Sequence, residues 1–147
     1  MKRYGYSIFC DDIRNEVGGK LSFIGCYNSA IFVSHDFPCV LSKFCIHTYV
    51  VTAAEQPFRS LSLRCYVPGR RDPILDERIE TLNVPAQRKL VSELEPGFVA
   101  PRHIVASASL ILSPLDIVSP GLISVRAVID GEAEELGLGS LRVVVAE

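Results

Sequence analysis

Apolar and polar residues alternate along most of this chain, and no other feature limits its possible folds as much. Within the run 58–67, Leu61 and every second residue after it are apolar, and most of the residues between them are polar. A repeat of two residues is that of a β-strand with one buried face and one solvated face. Val and Ile, whose branched side chains favour strands, supply 28 of the 147 residues. The chain is therefore expected to consist mainly of strands.

Several other runs have the same character. The run 41–52 is apolar on both faces, so we expect a central strand there. The pair Asp130-Gly131 is a strong signal for a hairpin turn, and Gly137-Leu138-Gly139 is interpreted as hairpin chemistry before the closing strand. The predicted strands are 4–10, 20–33 with a break at Asn28-Ser29, 41–52, 58–67, 104–112, 122–129 and 141–146.

The segment 70–102 alternates least and leaves two interpretations open. Asp72 and Pro73 are suited to the start of a short helix. The Pro-Gly and Val-Pro pairs on either side of 70–84 are more typical of hairpins, so we favour a polar edge strand. One or two helical turns are expected within 87–94 and a turn region at 114–121.

With roughly eight strands and little helix, the sequence predicts one domain, 1–147, folded as an antiparallel, immunoglobulin-like β-sandwich.

Charge, hydropathy and cysteine usage exclude several classes of protein. A net charge of −2 and a pI near 5.9 argue against a nucleic-acid binder. No apolar run approaches the roughly 18 residues of a membrane span, and polar residues interrupt the N-terminal stretch, so we expect no membrane association and no signal peptide. Five cysteines without a C-x-x-C motif indicate reduced, buried thiols and hence a cytoplasmic protein.

An acidic turn follows the first predicted strand. Asp11, Asp12 and Glu16 are oxygen ligands of the kind that Ca²⁺ prefers, but they lack the regular spacing of a dedicated calcium loop. A structural role is favoured, since Asp and Asn bond to backbone amides at turns. In that role, Arg14 is expected to pair with Asp12 or Glu16.

A second set of candidate ligands is soft. His35, Cys39, Cys45 and His47 offer two thiols and two imidazoles, which is a donor set that Zn²⁺ accepts. Their spacing fits no zinc finger or ribbon, and buried thiols with a hydrogen-bonded histidine explain them equally well. Since the sequence contains no nucleophile elbow, phosphate-binding loop or dinucleotide fingerprint, we expect no catalytic residues and no cofactor.

Two segments resemble known proteins. The sequences FCDDIRNE at 9–16 and GKLSFIGCY at 19–27 resemble a family of small uncharacterised bacterial proteins, which implies a bacterial or phage-related origin and no known activity. The region 110–145 resembles the closing strands of immunoglobulin-like domains, although Leu122 and Ile123 stand where those domains have a corner tyrosine. This second resemblance implies a fold and not a function.

The sequence thus favours a non-catalytic module that binds a protein partner or itself. The run 141–145 contains only Arg142 as a charged residue, so at a sheet edge it would allow a homodimer to form by strand addition. Val143, Val144 and Val145 are the candidate interface residues. The alternatives are a metal- or small-ligand-dependent domain that uses the turn at 11–16, and an assembly subunit of a phage-like particle.

Overall fold

A computed structural model describes residues 3–34, 36–94 (for Leu94, the backbone alone) and 102–146. In these ranges the chain forms eleven strands and one helix. They are β1 (Tyr4–Asn15), β2 (Leu21–Cys26), β3 (Ala30–Val33), β4 (Cys39–Leu41), β5 (Phe44–Ala53), β6 (Leu61–Tyr66), β7 (Leu75–Ile79), α1 (Val84–Leu94), β8 (His103–Leu112), β9 (Leu115–Ile117), β10 (Gly121–Ile129) and β11 (Leu136–Val145).

The strands form two packed sheets and a small ribbon. The four-stranded sheet has the order β2-β1-β5-β8, and all its neighbours are antiparallel. The five-stranded sheet has the order β3-β11-β10-β6-β7, in which only the pair β3 and β11 is parallel. The ribbon pairs β4 with β9. The prediction of an all-β sandwich is confirmed, with eleven strands in the described residues where about eight were expected.

The core lies between the two sheets and is built from alternate residues of each strand. On β5, Phe44, Ile46 and Val50 point inward. On β10 every second residue from Ile123 to Ile129 does the same, and all four are at most 4% exposed. The alternation that predicted the strands therefore also selects the buried face. As expected, β5 is central, with β1 and β8 on either side.

Helix α1 begins three residues before the helical turns that the sequence predicted. The side chain of Asn83 accepts a hydrogen bond from the Ala86 amide at 2.8 Å, which is the geometry of an N-cap. Gln87 is buried and holds the helix against the sandwich: its amide group accepts from the Phe58 nitrogen at 2.9 Å and donates to the Phe58 oxygen at 2.7 Å. The edge strand favoured within 70–84 is confirmed as β7.

The closing strand does not lie at an edge, so the condition for strand addition through it is not met. β11 pairs with β10 on one side and with β3 on the other, and Val143 is only 1% exposed. Val144 and Val145 pair with β3, so strand addition through Val143, Val144 and Val145 would have to displace that strand. The physical cause is the break at Asn28-Ser29, after which β3 leaves the four-stranded sheet and joins the other one.

Two smaller expectations are wrong. Gly137 and Gly139 lie inside β11, which begins at Leu136, and they do not form a hairpin loop. The register of the ladder between β10 and β11 shifts between Ser124 and Arg126, which is typical of a β-bulge. The segment 114–121, expected to be turns, contains the short strand β9.

Candidate interaction face

The face of the four-stranded sheet that points away from the core, here called the outer face, is apolar and partly exposed. Tyr4 and Tyr6 of β1 lie opposite Val51 and Tyr49 of β5, and both of these β1 tyrosines are 51% exposed. On β8 the exposed positions alternate strictly with the inner ones. The outer residues of β8 include Val105 at 57% and Ile111 at 54% exposure.

Four aromatic rings run across this outer face; we call them the aromatic row. Tyr6 stacks on Tyr49 with 4.8 Å between ring centroids. The ring of His47 meets that of Tyr49 edge-on, with 4.7 Å between ring centroids. The ring centroid of Phe23, on β2, lies 5.4 Å from that of His47. Offset and edge-to-face contacts of this kind hold rings in fixed orientations. The row therefore gives the outer face a rigid centre.

His47 is part of this row and is hydrogen-bonded to the neighbouring strand β8. Its side chain is buried, and Nδ1 lies 2.8 Å from the hydroxyl of Ser109 on β8. Burial lowers the pKa of the imidazole, so it is neutral at physiological pH. A neutral imidazole bonded to one serine and flanked by aromatic rings serves to order the face.

The outer side of the five-stranded sheet has a charged network on β6, β7 and β10, while Phe32 of β3 and Leu122 of β10 are exposed apolar residues on the same sheet. The carboxylate of Glu135 accepts hydrogen bonds from Tyr66 at 2.7 Å and from Arg64 and Arg126 at 3.2 Å each. The bond from Tyr66 is the main reason that the pKa of Glu135 is lowered. Arg64 also pairs with Asp76 at 3.2 Å. This charged network is thus satisfied within the chain.

The carboxylates of the predicted acidic turn are engaged by their own chain. The prediction that a turn begins at Asp11 is wrong, because β1 continues to Asn15 and both Asp11 and Asp12 lie on it. The carboxylate of Asp11 accepts a hydrogen bond from the Tyr27 hydroxyl at 2.7 Å, and burial followed by this bond raises the pKa of Tyr27. Asp12 pairs with Lys43 at 2.6 Å, and that hydrogen bond is the main cause of its lowered pKa. Arg14, which was expected to pair with Asp12 or Glu16, forms a salt bridge with neither. The backbone of Glu16 closes the turn by donating to the Lys20 oxygen at 2.8 Å.

The soft ligands are dispersed as far as the structure describes them. Cys39 lies on β4 and Cys45 on β5, where the Cys45 thiol is directed at the Asp11 oxygen at 3.6 Å. His47 is bonded to Ser109, and His35 lies outside the described residues. Within 3–34, 36–94 and 102–146, no three His, Cys, Asp or Glu side chains form a group that could hold a metal ion.

The surface of the described residues has several depressions. One of about 530 Å³ lies beside the segment 78–84, and one of about 420 Å³ lies beside the β10–β11 hairpin. A smaller, mainly apolar depression of about 210 Å³ lies between α1 and β8. The residues that line all three include no cysteine and no histidine. In the described residues, every buried side-chain nitrogen or oxygen has a hydrogen-bond partner.

Comparison of the chain with protein-family models, curated proteins and solved structures gives no significant match. The helix search over the described ranges finds none that is long and apolar enough to cross a membrane. Sequence reasoning missed the outer face as a site. A signal for it was present, because 41–52 is apolar on both faces and Tyr4 and Tyr6 share one face of the preceding strand.

Proposed function

We propose that this protein is a non-catalytic β-sandwich that associates with a second copy of itself through the outer face. The observation that carries the proposal is the exposure of Tyr4, Tyr6, Val105 and Ile111 on one side of a single sheet. Exposed apolar residues gathered on one face mark interaction sites more often than scattered ones do. On the opposite side of the sandwich, ion pairs occupy the positions around Arg64, Arg126 and Glu135.

The outer face is large enough for such an interface. Four strands spaced about 4.8 Å apart span about 19 Å, and the ten residues of β5 or β8 extend about 34 Å. The product is about 650 Å², close to the roughly 800 Å² that each partner contributes to a standard interface. Two sheets can pack face to face about 10 Å apart, as the two sheets of a sandwich do.

The charge pattern favours a second copy over a partner of opposite charge. The outward positions of β1 up to Cys10, of β5 and of β8 contain no Asp, Glu, Lys or Arg. A two-fold contact places each patch against itself, so a patch without charge meets no repulsion. An acidic or basic partner would find no complementary charge at these positions.

The test is the mass of the protein in solution as a function of concentration. We expect sedimentation velocity to show a dimer at high micromolar concentration. The double variant Val105→Glu/Ile111→Glu should raise the dissociation constant about a hundredfold or more, because burying unpaired carboxylates costs several kcal/mol.

Leu122→Glu is the matched control. Leu122 is 51% exposed and lies on β10, at a position that faces away from the core of the five-stranded sheet. This variant should dimerise like the unchanged protein. A strict monomer at every concentration, or equal loss of the dimer in the control, would overturn the proposal.

A further inference from the structure

Three of the five cysteines lie side by side on adjacent strands. Cys10 of β1 is opposite Cys26 of β2 in one ladder and opposite Cys45 of β5 in the other. All three are free thiols. The sequence separates them by up to 35 positions (45 minus 10), and only the pairing of the strands brings them together.

The two ladders place these neighbours at different spacings. The Tyr27 nitrogen donates to the Phe9 oxygen at 2.8 Å, so the carbonyl of Phe9 points toward the segment that continues β2. The backbone groups of Cys10 therefore point the other way, toward β5. This makes Cys10 and Cys26 a non-hydrogen-bonded pair. In a regular antiparallel ladder the Cα atoms of such a pair are about 4.5 Å apart, within the range that a disulfide spans. Cys10 and Cys45 form the wider pair, with about 5.5 Å between Cα atoms.

Access also distinguishes the three thiols. Cys26 is exposed, whereas Cys10 and Cys45 are fully buried. Burial is the main cause that raises the pKa of Cys10 to about 11, so this thiol is poorly reactive toward an oxidant in solution. The Cys45 thiol is directed at the backbone carbonyl oxygen of Asp11. An oxidant thus reaches Cys26 first, and Cys10 is the thiol next to it.

We infer that Cys10 and Cys26 are an oxidation site that closes into a cross-strand disulfide. A peroxide first converts the Cys26 thiol to a sulfenic acid and releases one water. The Cys10 sulfur then attacks the Cys26 sulfur, the S–S bond forms, and the hydroxyl of the sulfenic acid leaves with the Cys10 proton as a second water. Two thiols lose two electrons and one peroxide gains them. These steps require no second copy of the chain.

The experiment uses the full chain, treated with hydrogen peroxide, alkylated, and digested with trypsin without reduction. Cleavage after Arg14, Lys20 and Lys43 separates the thiols, except that Cys26 and Cys39 share one peptide. The measurement is therefore made in a Cys39→Ser background. We expect a linked pair of peptides, one with Cys10 and the other with Cys26, and an intact mass lower by two hydrogens.

Two variants make the result decisive. Cys26→Ser changes an exposed side chain and should abolish every disulfide that contains Cys10. Cys45→Ser removes the other neighbour and should leave the link between Cys10 and Cys26 in place. The inference fails if the recovered link joins Cys10 to Cys45, if Cys26 links two chains, or if Cys26 is oxidised to sulfinic acid while Cys10 stays a free thiol.

Discussion

The guanidinium of Arg3 lies 3.1 Å from the carboxylate of Asp130, although 127 positions separate the two residues. The other oxygen of Asp130 accepts the backbone amides of Arg59 at 2.7 Å and Ser60 at 3.1 Å. Asp130 itself has a left-handed φ of 55°, which the β10–β11 hairpin requires. One side chain therefore joins the start of β1, the segment before β6 and the hairpin after β10.

The first prediction concerns the contribution of Asp130 to stability. Asp130→Ala leaves two backbone amides and a guanidinium without their acceptor, and we expect it to lower the free energy of unfolding by about 2–3 kcal/mol. Urea unfolding monitored by circular dichroism measures this. Glu132→Ala is the control, because Glu132 is largely exposed and its carboxylate makes only a long contact, 3.8 Å, with the Arg3 guanidinium. It should change stability by at most about 0.5 kcal/mol. Equal losses in both variants would contradict this assignment.

The second prediction is the pH dependence of the same carboxylate. Burial raises the pKa of Asp130, but the hydrogen bonds from Arg59, Ser60 and Arg3 outweigh it, and the net shift is downward. The folded pKa is then below the unfolded value of about 3.9, so the stabilisation is complete above that value and disappears as the pH falls through the folded pKa.

The unchanged protein should therefore lose more stability than Asp130→Asn between about pH 5 and about pH 2.5, since the asparagine does not titrate. Urea midpoints of both proteins at several pH values in this window measure the difference. If the gap between the two midpoints stays constant as the pH falls, the titration of Asp130 is not the cause.

The third prediction concerns the anchor of the helix. Gln87→Leu keeps an apolar volume at this site but leaves the nitrogen and the oxygen of Phe58 without partners, so we expect a loss of about 2–3 kcal/mol in the free energy of unfolding. Lys89→Ala, on the same helix, removes only an exposed pair with Glu93 and should cost no more than about 0.5 kcal/mol. Thermal unfolding compares the two, and similar melting temperatures would be the contrary result.

The fourth prediction compares two glycines that both have positive φ. At Gly19, with φ of 73°, an added Cβ meets nothing, so Gly19→Ala should cost only the backbone strain of about 1 kcal/mol. At Gly25, with φ of 68°, the Cβ would collide with the Asp11 side chain, which accepts the Tyr27 hydroxyl. Gly25→Ala should therefore cost about 1 kcal/mol more than Gly19→Ala in urea unfolding. Identical losses would show that Asp11 moves freely.

The alternation of apolar and polar residues predicted the strands well, because it indicates which side chains of a segment are buried. The run 122–129 became β10 with its expected inner face, and the two-sided run 41–52 became the central β5. Alternation does not report which sheet a strand joins. Ala30 to Val33 follows the strand before it within one predicted run, yet it pairs in parallel with residues more than 100 positions later. This pairing places Val143 in the interior of the sheet.

The candidate sites show the same limit. The carboxylates of Asp11 and Asp12 are engaged by Tyr27 and Lys43, which come from other strands or loops and are not adjacent in sequence. The aromatic row needs β2, β1 and β5 to be neighbours before its rings meet. A sequence lists these side chains, but only the strand order, set by the packing of the whole sandwich, decides which of them are in contact.

The position of β11 between β3 and β10 has a consequence for folding during synthesis. On the ribosome, both neighbours emerge before the strand that separates them, so β3 and β10 cannot complete their hydrogen bonding until β11 follows. Because β3 is an edge strand whose neighbour in the sheet is β11, it can join the five-stranded sheet only after β11 has been synthesised.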